Sequence, residues 1–228
     1  MATEYFNDAW RIPNNKNQSL VSNYSMDFDG TSDNITLDNT NNFLNVDYLT
    51  ISIWFKPDVT ELAALIGNRY FNVGYMSWTI QLFSNGKVRY VQRSPNLGTS
   101  FNTIDTYNVG EWNHIAVTYD SNGAKMYLNG GTPVVNTSQT NPIAYNLDFV
   151  SDNVTIGCAP AGGSTSSPTG PTQHFNGLID EVAIFNTALT EAEILSIYNA
   201  TAVVGGVNKT ADLSQLTTPP IAWYRMGD

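Results

Sequence analysis

Disulfides, dense charge and long apolar runs are what this chain does without. One cysteine, Cys158, stands among 228 residues, so no intrachain disulfide can form and the fold must rest on its core. Cys158 lies in the strand-like run Val-Thr-Ile-Gly-Cys and reads as a small buried apolar residue. His114 and His174 are the only histidines, and with a single cysteine they cannot build a usual zinc site. Charged residues make up only 13% of the chain, so the surface is polar through amides and hydroxyls rather than ions. Twenty acidic against ten basic residues leave a formal charge of −10, which argues against a basic patch for a nucleic-acid partner. No apolar run is long enough to span a bilayer, and the first thirty residues hold no leader-like stretch. If Met1 is the natural start, the expectation is synthesis in a cytoplasm without membrane insertion.

What is present is a series of short alternating segments. Residues 25–29 alternate and stop at Gly30; Ile35 and Leu37 follow. From Tyr48 to Lys56, Leu49, Ile51, Ile53 and Phe55 share one face, with Ser52 and Trp54 on the other. Trp78, Ile80 and Leu82 alternate with Thr79, Gln81 and Phe83, and Asn85-Gly86 suits a type I′ hairpin turn into 87–92. A second hairpin runs from His114–Tyr119 through Asp120-Ser-Asn-Gly123 to Lys125–Leu128. Val154–Gly157 is a further strand, and 160–173 is a Gly/Pro/Ser-rich loop. The stretch 175–194 reads as a strand entering a short helix. Thr190 suits an N-cap, Glu193 completes a capping box, and Leu189 with Ile194 has the spacing of a hydrophobic staple. Many short strands, Gly/Asn turns and one late helix predict an all-β, two-sheet antiparallel sandwich.

Four segments carry a family resemblance, in order: Met26-Asp-Phe-Asp-Gly30, Leu49-Thr-Ile-Ser-Ile-Trp-Phe-Lys-Pro57, Glu111–Tyr119 with Met126-Tyr-Leu-Asn-Gly130, and Gly177-Leu-Ile-Asp-Glu-Val182 with the capped helix. Together they resemble LamG-like domains of the concanavalin A-like lectin/glucanase jelly-roll superfamily, over about residues 25–200. The division expected is an N-terminal arm at 1–24, the jelly roll at 25–200 and a C-terminal extension at 201–228. The tail Ile221-Ala-Trp-Tyr-Arg-Met resembles the lead-in to a further repeat; the alternative is that Trp223 and Tyr224 cover the edge of this domain. The opening residues, including Trp10-Arg-Ile-Pro-Asn-Asn, resemble structural proteins of marine tailed phages.

The resemblance implies two ligands. A structural Ca²⁺ would match Asp29 and Asp180; the alternative is that Asp180 hydrogen-bonds backbone amides while Asp29 shapes the turn at Gly30. Glycans would stack on aromatics aided by amides, and the richest local set is Tyr70, Tyr75 and Trp78 with Asn68 beside them and Arg89 on the next strand. Tyr90 and Arg93 are placed on the same strand face as Arg89, and Trp78 is equally readable as core. Glycan-cleaving relatives of the fold carry two carboxylates on one strand face. Here Asp180 and Glu181 are adjacent and should point to opposite faces, so no enzyme is expected. The resulting expectation is a virion-surface protein, a capsid decoration or fibre, that contacts other virion structural proteins and host-surface polysaccharide, with homo-oligomerisation left open. The alternative is a carbohydrate-binding or adhesion module of a bacterial surface protein.

Overall fold

A computed structural model describes residues 25–37, 47–68, 77–93, 98–138, 140, 154–159, 163–164, 167–168, 171–199, 202–204, 207–209 and 213–226. Its strands are β1 (Met26–Asp29), β2 (Ile35–Leu37), β3 (Leu49–Pro57), β4 (Ala63–Gly67), β5 (Ser77–Leu82), β6 (Val88–Arg93), β7 (Gly98–Asn102), β8 (Asn113–Asp120), β9 (Gly123–Leu128), β10 (Val134–Asn136) and β11 (Val154–Ile156). They continue with β12 (Gly163–Ser164), β13 (Ser167–Pro168), β14 (Asn176–Phe185), β15 (Ala202–Val204), β16 (Val207–Lys209) and β17 (Ala222–Tyr224), and helix α1 spans Glu191–Asn199. Two antiparallel sheets result. One runs β1-β14-β3-β8-β9-β10 with β17 also on β14; the other runs β2-β11-β4-β5-β6-β7. This is the all-β jelly-roll sandwich expected.

Period-two alternation builds the main core. Ile51, Ile53 and Phe55 of β3 meet Ile115 and Val117 of β8 on the inner face, opposite Ile66, Ile80, Val88, Tyr90, Val154 and Ile156 of the other sheet. A second cluster lies on the outer side of the seven-stranded sheet, where Ala116, Tyr127, Ala183 and Phe185 are covered by Leu189, Ile194, Ile197 and Leu213. The cap that starts α1 is as expected: the Thr190 amide and hydroxyl donate to Glu193 Oε2, and the Glu193 amide donates back to Thr190 Oγ1 at 3.3 Å.

One local expectation is corrected and two open ones are filled in. The turn after β5 is not type I′, which needs positive φ at both central residues. Gly86 has φ of 79° but Ser84 and Asn85 do not share it; the Gly86 amide donates to Phe83 O and the Phe83 amide to Lys87 O, so a three-residue loop ends in a left-handed glycine. The 160–173 loop is tied at its base by an Ala159–Thr172 bridge and contains the β12–β13 ladder. The tail is part of the sheet, since Val182, Ala183 and Ile184 pair with Tyr224, Trp223 and Ala222.

The outer edge of β14 is thereby shared. β1 pairs along Asn176–Ile179 and β17 along Val182–Ile184. At the handover β14 bulges: its register against β3 shifts between Asp180 and Ala183, and Glu181 takes φ of 49°. Strict alternation fails across a bulge. The expected opposition of Asp180 and Glu181 therefore does not hold in its simple form, and both side chains are buried.

Candidate functional site

Cross-strand partners in an antiparallel ladder share a face. In the six-stranded sheet the register gives one inner row, Ile35, Ile156, Ile66, Ile80, Tyr90 and Phe101, which packs in the core. The neighbouring rows must face outward. One comprises Thr36, Thr155, Gly67, Thr79, Val91 and Ser100; the other comprises Ala64, Gln81, Arg89 and Asn102.

These outward rows are small and polar, and their groups are held in place. Thr79 Oγ1 donates to Ile66 O at 3.1 Å. That contact needs Gly67 opposite, because a Cβ there would lie 2.6 Å from Thr79 Oγ1. Thr155 Oγ1 donates to Cys158 O at 2.9 Å. Gln81 Nε2 donates to Gln173 Oε1 at 2.6 Å, and the Ala64 amide donates to Gln173 O, so Gln173 lies over the row. Arg89 Nε donates to Asn102 Oδ1 at 3.1 Å, and its guanidinium sits 4.2 Å from the Phe83 ring centroid. Thr79, Gln81 and Thr155 are buried, so what this face presents is the half-buried Arg89–Asn102 pair, a set of fixed donors and acceptors of the kind that orients hydroxyl-rich ligands.

The residues expected at a glycan site are only partly assembled here. Arg89 is on the outward face. Trp78 is not: it belongs to the inner row with Gln92, is 2% exposed and fills the core. Tyr90 likewise points inward. Asn68 is buried, and its Oδ1 accepts the Trp78 amide at 2.8 Å; it shapes the strand entry. Arg93 pairs with Ser77 at the end of β6. Tyr70 and Tyr75 lie outside the described residues, as does the arm at 1–24. Gln81, Asn102 and Gln173 were missed in sequence. Gln81 was legible as the polar partner in the β5 alternation, whereas nothing local marks Gln173.

The expected calcium pair is not brought together. Asp29 is opposite Asn176 in the β1–β14 ladder, four positions from Asp180, roughly 13 Å at the usual strand rise. Asp29 instead organises its own loop. Its Oδ1 accepts the amides of Thr31, Ser32 and Asp33, and its Oδ2 accepts the hydroxyls of Thr31 and Ser32. These donors, led by the Ser32 amide, push its carboxyl far below the usual range. Asp180 Oδ1 accepts the Glu181 amide at 2.8 Å. Both fit the alternative reading of hydrogen-bonded structural carboxylates. Among the described residues no group of three or more His, Cys, Asp or Glu is placed to hold a metal.

One buried constellation on the other sheet was also missed. Ser52 Oγ and His114 Nε2 lie 2.8 Å apart. Trp54 and Tyr198 of α1 cover them, with the Trp54 ring stacked on Tyr198 at 5.8 Å and tilted against His114 at 5.0 Å. His114 is fully buried, and burial pushes its pKa down from 6.5 to about 3. The pair is a packing unit beneath the helix, out of reach of any substrate.

A laminin G-type family model, described as the concanavalin A-like lectin/glucanases superfamily, matches residues 29–195. The chain belongs to this superfamily. Its fold recurs in solved structures. The Ruminococcus gnavus IT-sialidase CBM40 bound to α2,3 sialyllactose is 16% identical, with TM-score 0.59, covering 79% of this chain and 99% of that one. Domain 4 of AbnA, an extracellular GH43 arabinanase of Geobacillus stearothermophilus, in complex with arabinotriose, is 21% identical, with TM-score 0.56 and 75% of each chain covered. The native heptameric SAP-like pentraxin of Limulus polyphemus is 16% identical, with TM-score 0.52, covering 75% of this chain and 80% of that one. At these identities the likeness is one of fold. Comparison with curated protein sequences gives no match.

Proposed function

We propose that this lectin-like jelly roll is a non-catalytic carbohydrate-binding module whose saccharide docks on the outward face of the six-stranded sheet. The observation that carries this reading is the pair Arg89 and Asn102, a guanidinium and an amide that stand half-buried and side by side on adjacent strands at the open end of the row, beyond the buried Ala64 and Gln81. Hydroxyl-rich ligands are recognised by such fixed donors and acceptors. Similar folds seen in complex with saccharides, the CBM40 and the arabinanase domain, support the class. Display on a bacterial surface or beside an extracellular enzyme is the setting we favour. The virion setting rests on the opening residues, which lie outside the described part of the chain.

The test is a glycan array probed with the full chain, followed by titration calorimetry on the best binder. Asn102→Ala should weaken binding several-fold, by the loss of one or two hydrogen bonds, with the melting temperature nearly unchanged. An array without signal for a folded chain, or binding indifferent to that substitution, overturns the reading.

A further inference from the structure

The charge of this acidic chain is unevenly placed. The strands of the six-stranded sheet (β2, β4, β5, β6, β7 and β11) contain no Asp or Glu, although the chain has twenty. The acidic residues of the two main sheets, Asp27, Asp29, Asp120, Asp180 and Glu181, all lie in the seven-stranded sheet. The six-stranded sheet carries arginine instead, at Arg89 and Arg93.

Arg89 stands out by what it lacks and how it is held. Arg225 pairs with Glu181, whereas among the described residues no carboxylate lies within ion-pair distance of Arg89. Its Nε is taken by Asn102 and its plane rests on Phe83. The remaining edge of the guanidinium carries the two terminal nitrogens, the side that grips a carboxylate in two parallel hydrogen bonds. Stacking and the Asn102 contact hold that edge in one orientation before any ligand arrives, which lowers the entropy lost on binding. The neighbouring cation, Lys87, is already used: its Nζ donates to the carbonyls of Thr103 and Ile104.

We propose that the outward face selects acidic saccharides, with Arg89 donating to a sugar carboxylate and the half-buried Asn102 amide beside it meeting a hydroxyl. This rests on the carbohydrate-binding reading and narrows it to one ligand class. The net charge of −10 opposes the approach of such a ligand at long range. The preference must therefore come from short-range contact with Arg89, and it fades as salt screens that contact.

The experiment is binding of the full chain to an array of uronate- and sialyl-terminated saccharides printed beside their carboxyl-reduced counterparts, at about 0.05 M and about 0.5 M salt. Acidic members should bind about tenfold or more tighter than reduced ones at low salt, as expected for charge-assisted hydrogen bonds, and the gap should narrow at high salt. Arg89→Gln should erase the gap without changing the melting temperature. Arg89→Lys should recover only part of it, because an ammonium cannot form the paired contact. Equal binding of acidic and reduced members, or a preference that survives in Arg89→Gln, overturns the proposal and leaves the carbohydrate-binding reading standing. No binding to any member, with binding on the broad glycan array, overturns the proposal alone; no binding on either by a folded chain overturns both.

Discussion

The indole N–H of Trp223 donates to the buried carboxylate of Glu181, forty-two positions earlier in the chain. Arg225 adds a 3.2 Å ion pair to the other carboxylate oxygen and lies over the Trp223 ring. The left-handed bulge of β14 thus presents a buried acid where β17 takes over the edge from β1, and the tail strand supplies partners for it.

The tail should therefore be needed for stability. Arg225→Ala removes the cationic partner of a carboxylate that is 4% exposed, leaving the Trp223 indole, and should cost about 2–4 kcal/mol in urea unfolding. A compensating Glu181→Gln in the same chain should recover part of that loss, because the buried charge is gone. A loss under about 0.5 kcal/mol, the level of an ordinary surface change, would mean that the tail strand is not a structural element.

Acid should weaken the fold well before its carboxylates titrate. His114 is neutral in the fold down to about pH 3, whereas an unfolded histidine protonates near pH 6.5. Between those values the unfolded state binds the extra proton. Stability is complete above pH 6.5 and falls with decreasing pH, by up to about 1.4 kcal/mol per unit. Unfolding midpoints at pH 7.5, 6 and 5 should show this slope, and His114→Phe should flatten it. Asp29, whose pKa is depressed, weakens the fold in the same direction only as pH falls below the ordinary carboxylate range.

Gly157, directly after β11, has no room for a side chain. It holds φ of 82°, and a Cβ there would lie 2.2 Å from the Phe28 ring, which packs edge-on against Phe175. Gly157→Ala combines a left-handed backbone with overpacking and should cost about 1–3 kcal/mol or more, read from chemical denaturation. A neutral result would mean that Phe28 is not seated where it is described.

Trp78 and Arg89 should separate core from site. Trp78→Ala empties a core position and should lower stability by about 3–5 kcal/mol, while the glycan specificity of the chain that remains folded is unchanged. A Trp78→Phe variant that folds normally but loses saccharide binding would return Trp78 to the binding surface.

Much of the architecture is written locally in the chain. The alternations at Leu49–Phe55, Trp78–Leu82 and Ile115–Tyr119, the glycines at turns and the Thr190–Glu193 box depend on near neighbours, and the structure has them. Strands without alternation were invisible: β4 is an apolar run in which a bulge turns Leu65 and Ile66 together toward the core. The candidate face was less legible still. Its members come from β5, β6, β7 and a loop near residue 173, so only the register brings them together.

The sequence by itself determined the fold class, the hairpins and the capped helix, because each follows from side-chain period and turn chemistry within a few residues. The tertiary structure alone decided that Trp78 is core and Arg89 is surface, that Asp29 and Asp180 stand four rungs apart, and that the tail completes a sheet. Those outcomes depend on strand order and register, which are set by how two apolar faces close on each other rather than by any single segment.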